Sequence, residues 1–114
     1  MIAPAWRVSL GVEAEKDFAR ILTYTQNIYG PRQAEIYLTT ILDALESLGS
    51  GPDVLGSVSR DEIRPRLRSL HVARHGRRGR HVIMYRPGQG QVIEVLRILH
   101  DAMDLTRHIP PETA

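Results

Sequence analysis

The chain has no cysteine, a single lysine, one phenylalanine, one tryptophan and no apolar run longer than a handful of residues. Each absence excludes something. Without cysteine there is no disulfide, thiolate zinc site, iron–sulfur cluster or cysteine nucleophile, a usage that suits a reducing compartment. Without roughly 20 consecutive apolar residues no helix spans a bilayer, and the opening MIAPAWRVSLGVEAEKDF lacks the apolar centre of a signal peptide. A cytoplasmic location, no membrane partner and no cofactor are therefore expected. Aromatic residues make up 5% of the chain, which leaves few stacking platforms for single-stranded nucleic acid; nucleic acid is expected to be met only indirectly.

What is present fits one domain. The 114 residues, 42% hydrophobic and 25% charged, match the composition of folded soluble chains and leave room for one core, so a single domain over 1–114 is expected. The charge is polarised. Residues 1–59 carry four basic and seven acidic side chains, net −3, and residues 60–114 carry eleven basic and six acidic, net +5. Fourteen of the fifteen basic residues are arginine, nine of them between Arg60 and Arg86. The planar guanidinium fork grips carboxylates and phosphates bidentately, so the second half suits an acidic or phosphate-bearing partner, although a solvated arginine surface explains many of these residues equally well.

Hydrophobic periodicity orders the elements. Trp6, Val8 and Leu10 alternate with Arg7 and Ser9, as in a half-buried strand. From Val12 the period lengthens: Ala14, Phe18, Ile21, Leu22, Thr25 and Ile28 make a helical stripe, with Glu13, Glu15 and Asp17 where the helix dipole favours negative charge. Gly30-Pro31 ends that helix and starts a second, striped by Ala34, Tyr37, Leu38, Ile41, Leu42, Leu45 and Leu48 and stopped at Gly49-Ser50-Gly51-Pro52. After the polar stretch Asp53–Pro65, three β-rich runs follow: Leu67–Val72, His81–Arg86 and Gln91–Leu99, separated by the turns Arg74–Gly79 and Pro87–Gly90. A tail from Asp101 has room for one helical turn before Pro110-Pro111. The order strand, helix, helix, strand, strand, strand predicts an α+β domain, an antiparallel sheet with a helical hairpin on one face. Phe18, Leu22, Leu38, Ile41, Leu45, Val82, Ile83, Val95 and Ile98 are its expected core.

The motifs for catalysis are thin. His71, His75 and His81 are close in sequence but lack zinc-ligand spacing and lie among arginines, so no metal is expected. No nucleophile elbow occurs, and the glycines of Gly76–Gly79 and Gly88–Gly90 sit between strands rather than before a helix, so they do not cradle phosphate. Arginines and histidines on a sheet can bind a partner. They also have the groups that metal-free RNA cleavage needs, a proton acceptor, a donor and cations for the transition state.

Several stretches carry a resemblance. Glu13–Phe18, Tyr29–Ala34, Ile63–Ser69, Gly79–Arg86 and Ile93–Leu105 (IEVLRILHDAMDL), taken in order, resemble the RelE/ParE superfamily of bacterial type II toxins, with ParE the closer branch. Many ribonuclease members carry an arginine three residues before the third-strand tyrosine and an arginine or histidine with a tyrosine near the end; here Val82 stands three before Tyr85, and His100 is followed by no tyrosine. The resemblance implies a toxin without catalysis that inhibits DNA gyrase and blocks replication, neutralised in a hetero-oligomer by a ParD-like cognate antitoxin. An RNA-cutting toxin of the RelE type and an inactive antitoxin-binding homologue are the alternatives. The residues expected to contact a partner are Arg68, Arg74, Arg80 and Arg86, with the terminal segment that holds Arg97, His100 and Asp104.

Overall fold

In the computed structural model, which describes residues 6–109, the alternating first segment forms strand β1 (Arg7–Leu10). It leads through Gly11 into helices α1 (Val12–Tyr29) and α2 (Pro31–Ser47), which a 3₁₀ turn at Leu48–Ser50 closes. The interhelical turn is one residue, Gly30, at φ 95° and ψ 166°, a conformation open to glycine and strained for any side chain. Pro31 then starts α2 with no amide hydrogen to leave unpaired. Beyond lie β2 (Val58–Ser59), β3 (Arg68–His71), β4 (His81–Gly88), β5 (Val92–His100) and one helical turn, α3 (Leu105–His108). The expected helical turn of the tail is therefore present; Pro110-Pro111 lie outside the described residues.

The sheet order is β1-β5-β4-β3-β2. The architecture matches the expectation with one correction: β1 pairs with β5 in parallel, so the sheet is mixed rather than wholly antiparallel. The reason is topological. The helical hairpin runs out and back, returning the chain to the start of β1, where the Trp6 amide donates to the Gly49 carbonyl. The next long strand sets out in the direction of β1, and two hairpins later β5 points the same way. The short β2, unforeseen within the polar stretch, pairs antiparallel with β3.

The second turn is displaced from its sequence expectation. β4 continues through Pro87 and Gly88, pairing with Ile93 and Val92, and the reversal occurs at Gln89–Gln91. Pro87 is tolerated because β3 ends its pairing at Arg68↔Tyr85, so β4 is there an edge strand. A bulge also interrupts β5: pairing steps from Met84↔Arg97 to Tyr85↔Val95, which leaves Leu96 unmatched and resets the alternation.

Two cores result. Ala14, Ile41, Ala44, Leu45 and Leu48 pack on Leu70, Val72, Ile83, Tyr85, Ile93, Val95 and Ile98. On the opposite sheet face Leu67, Val82, Met84 and Leu99 are covered by Ile63, Leu96, Leu105 and Ile109, so the 60–66 loop and the tail close a second layer. Three expected core residues, Phe18, Leu22 and Leu38, are only half-buried and line a shallow groove with Leu10, because small residues such as Ala14 and Ala44 bring the helices close over the sheet and leave the outer stripe uncovered.

Candidate functional site

Past Leu10, β5 has no neighbour on its β1 side, so its edge needs another partner. Asp17 supplies it. Its carboxylate, 6% exposed, accepts the Ile98 amide at 3.0 Å and a two-nitrogen grip from Arg97 at 2.7 and 2.9 Å. Arg97 also donates to the His108 carbonyl at 2.7 Å, tying α1, β5 and α3 together. In the sequence Asp17 complements the helix dipole of α1; in the structure its larger part is closing a strand edge.

Above this staple, the turn end of the helical hairpin, around Gly30, faces the β3–β4 hairpin across a cleft of about 910 Å³. The hairpin tip is a tight turn in which the Arg77 amide donates to the Arg74 carbonyl, with His75 and Gly76 both at positive φ. Gly79 lets the hairpin lie against α2: a Cβ there would come within 2.9 Å of the Tyr37 ring and 2.6 Å of Val72. The Tyr37 hydroxyl accepts the Arg80 amide at 3.1 Å and meets His81 Nδ1 at 2.6 Å. Assigning the hydroxyl hydrogen to Nδ1, so that every donor is used once, leaves the His81 N–H on Nε2.

The neighbouring imidazoles are fixed in the same way. His71 Nδ1 accepts the Ala73 amide and its Nε2 donates to Asp101 at 2.9 Å; His100 Nδ1 accepts the Ala102 amide. His81 and His100 are cross-strand partners in edge-to-face contact, centroids 5.4 Å apart. Burial, reinforced by the electrostatic influence of the neighbouring His100, pushes His81 down to about 4, so its ring is neutral at physiological pH. Burial likewise pushes the Tyr37 phenol up. The grip of Arg80, then the bond from His71, holds the Asp101 carboxyl far below the usual carboxylate range. The three histidines that converge here spend their Nδ1 atoms on amides or on Tyr37. Among the described residues no group of His, Cys, Asp and Glu is arranged to hold a metal.

The seven residues expected to contact a partner all have internal duties as well. Arg68 and Arg74 donate to Ser57 Oγ and to the Leu55 carbonyl, pinning the loop after α2. Arg80 grips Asp101 through two nitrogens, and Arg86 pairs with Glu94 at 2.9 Å. Arg97 is the staple, His100 receives the Ala102 amide, and Asp104 caps α3 by accepting the Thr106 amide. The structure brings Arg80 and His100 to the cleft and leaves the other five outside it. What sequence reasoning missed is Tyr24 and Tyr29, 62% and 65% exposed on the opposite wall. Their signal was available: they lie off the apolar stripe of α1 in a chain poor in aromatics.

Comparisons with known proteins agree with this architecture. The family model described as the ParE toxin of the type II toxin-antitoxin system, parDE, matches residues 8–105. "Toxin ParE1" of Mycobacterium tuberculosis, in strain H37Rv and in strain CDC 1551 / Oshkosh, is 31% identical over 103 residues, covering 90% of this chain and 97% of the relative. A chain from the chromosomal ParDE TA system of P. aeruginosa has a similar fold, with a TM-score of 0.68 at 20% identity, over 84% of this chain and 96% of that one. No helix among the described residues is long and apolar enough to cross a membrane.

Proposed function

The chain belongs to the ParE toxin family of type II toxin–antitoxin systems, and from that premise we propose that it arrests growth by inhibiting DNA gyrase, as a binding protein rather than a catalyst. In the resting cell a cognate ParD-like antitoxin holds it inactive in a cytoplasmic hetero-oligomer. A disordered acidic segment that folds on binding suits the half-buried Phe18, Leu22 and Leu38 groove and the basic strands.

The observation that carries the inhibitor reading is Val82. It occupies the third-strand position where ribonucleases of the superfamily place a cation, and it is 6% exposed within the apolar cluster of Leu67, Met84 and Leu99. Tyr85 is fully buried, and its hydroxyl is spent on the Pro52 carbonyl at 2.6 Å. Neither side chain reaches a substrate. A cleaving centre needs preorganised cations at the developing charge, and the Val82 position supplies none.

The test is a gyrase supercoiling and cleavage assay with the toxin, with and without its antitoxin. Accumulation of cleaved DNA that the antitoxin reverses is the expected result, together with the DNA-damage response on induction in cells. A second reading draws on the cleft, where His81 and His100 lie beside Arg80: an RNA-cutting toxin. Codon-positioned RNA cuts soon after induction, mapped by primer extension, with gyrase unaffected, would establish it instead. Neither signal would identify an inactive antitoxin-binding homologue.

A further inference from the structure

Three of the four tyrosines in the chain line one cleft. The scarcity of aromatics argued against stacking on nucleic acid; their placement reverses that argument. Tyr24 and Tyr29 expose their rings on the helical wall, and their hydroxyls make no hydrogen bond among the described residues. Facing them, the hairpin offers Arg78, exposed and without an ion-pair partner among the described residues, and Arg80, whose pairing with Asp101 leaves one terminal nitrogen uncommitted. The floor holds His81 and His100, whose committed Nδ1 atoms leave Nε2 for a ligand.

We propose that this cleft is a binding site for a nucleotide unit of single-stranded nucleic acid, its base against Tyr24 and Tyr29 and its phosphate on Arg78, Arg80 and His100. The volume falls within the usual range for small-ligand sites. Aromatic faces opposite guanidinium groups are the pairing that single-strand binding uses, because every base has a π-face and every phosphate a charge. A carboxylate-bearing peptide would satisfy the arginines but not the two solvent-facing rings. Duplex DNA keeps its bases stacked and offers them nothing. This site does not depend on gyrase being the target, and it requires no cleavage of the bound strand.

Fluorescence anisotropy of the full-length chain with short labelled oligothymidylate and oligouridylate, in two salt concentrations, tests it. The Tyr24→Ala/Tyr29→Ala double variant is expected to weaken binding about tenfold or more, and Arg78→Ala to weaken it several-fold with a shallower salt slope. Tyr24→Phe/Tyr29→Phe keeps the rings and should retain binding, while Arg7→Ala, outside the cleft, should change nothing. Circular dichroism checks that each variant is folded. DNA and RNA arms of equal affinity indicate recognition of base and phosphate alone; preference for one identifies the natural strand, and either supports the site. The proposal is overturned by absence of binding, by binding that the tyrosine variants leave intact, or by a tyrosine-dependent complex with an acidic peptide but not with either oligonucleotide.

Discussion

Arg97 and Arg78 are the same residue in opposite circumstances. Arg97 is largely buried, its guanidinium divided between Asp17 and the His108 carbonyl, so three elements depend on it. Arg78 stands exposed on the cleft rim with no ion pair among the described residues. A count of basic residues treats them alike, yet one has exchanged its hydration for fixed protein partners and the other retains it for whatever arrives. The lesson is that a cationic surface is defined by the guanidiniums left over after the fold has used the rest.

The sharpest way to break this comparison is Arg97→Ala. It leaves the Asp17 carboxylate in a nearly closed site with only the Ile98 amide and the outlying Arg20 at 3.7 Å, and removing one partner of a buried pair costs about 3–5 kcal/mol; urea unfolding should show a loss toward the lower end. Arg97→Met with Asp17→Leu removes both charges and should recover much of it, because the desolvation penalty disappears with them. A double variant as unstable as Arg97→Ala would mean that the Ile98 amide, not the ion pair, is what Asp17 chiefly serves.

Next in size is Tyr37→Phe, which removes the hydroxyl shared by the Arg80 amide and His81 Nδ1. Leaving part-buried polar groups unpaired costs roughly 1–3 kcal/mol, read as a lowered unfolding midpoint. The β3–β4 hairpin should also exchange its amides faster, since this hydroxyl and the close approach at Gly79 hold it to α2. Unchanged exchange would show that the hairpin is held by Arg77 on Asp43 instead.

How legible this was in the sequence varies by region. Helix boundaries at Val12 and Gly30-Pro31 follow from periodicity and local backbone chemistry and match the structure, while α2 ends at Ser47 and the expected stop at Gly49 falls inside the 3₁₀ turn Leu48–Ser50. The parallel β1–β5 pairing depends on where two helices return the chain, which no local pattern records. The Leu96 bulge hides in a run so uniformly apolar that alternation carries no phase, and Pro87 reads as a stop only if β3 is assumed to extend beside it. The second core was invisible because Ile63, Leu105 and Ile109 are isolated apolar residues in polar stretches. At the site, residue types were readable and assignments were not. Arg80 and His100 reach the cleft, whereas Arg68 and Arg74 turn to the preceding loop, a distinction set by which neighbour offers an acceptor.

Acid titration sharpens the comparison further, since His81 is held neutral at about 4 against 6.5 when unperturbed. Between those values the unfolded chain takes up a proton that the native ring refuses, so stability falls as pH drops through this window and is restored as it rises. With solvent access discounted, the loss by pH 4 is roughly 1–2 kcal/mol. Burial of the ring sets most of it; His100 and His71 push in the same direction, and the carboxylates of Asp101 and Asp17 oppose it. Asp101 acts in a lower range: its folded-state value is depressed, so its contribution is lost only as pH falls below the ordinary carboxylate value of 3.8. Denaturant midpoints from about pH 2 to pH 7 in the parent and in His81→Gln separate the two, because the variant should flatten the upper window alone.

The smallest effect on stability belongs to Arg78→Ala, and it decides the most about the cleft. An exposed side chain without partners changes stability by less than about 0.5 kcal/mol, so its unfolding midpoint should match the parent's. If growth arrest on induction nevertheless weakens, the free guanidinium acts on something outside the chain, and the contrast with Arg97 is one of function. Parent-level arrest would confine the toxin's target contacts to other surfaces, leaving the strand arginines Arg68 and Arg86 as the next to replace.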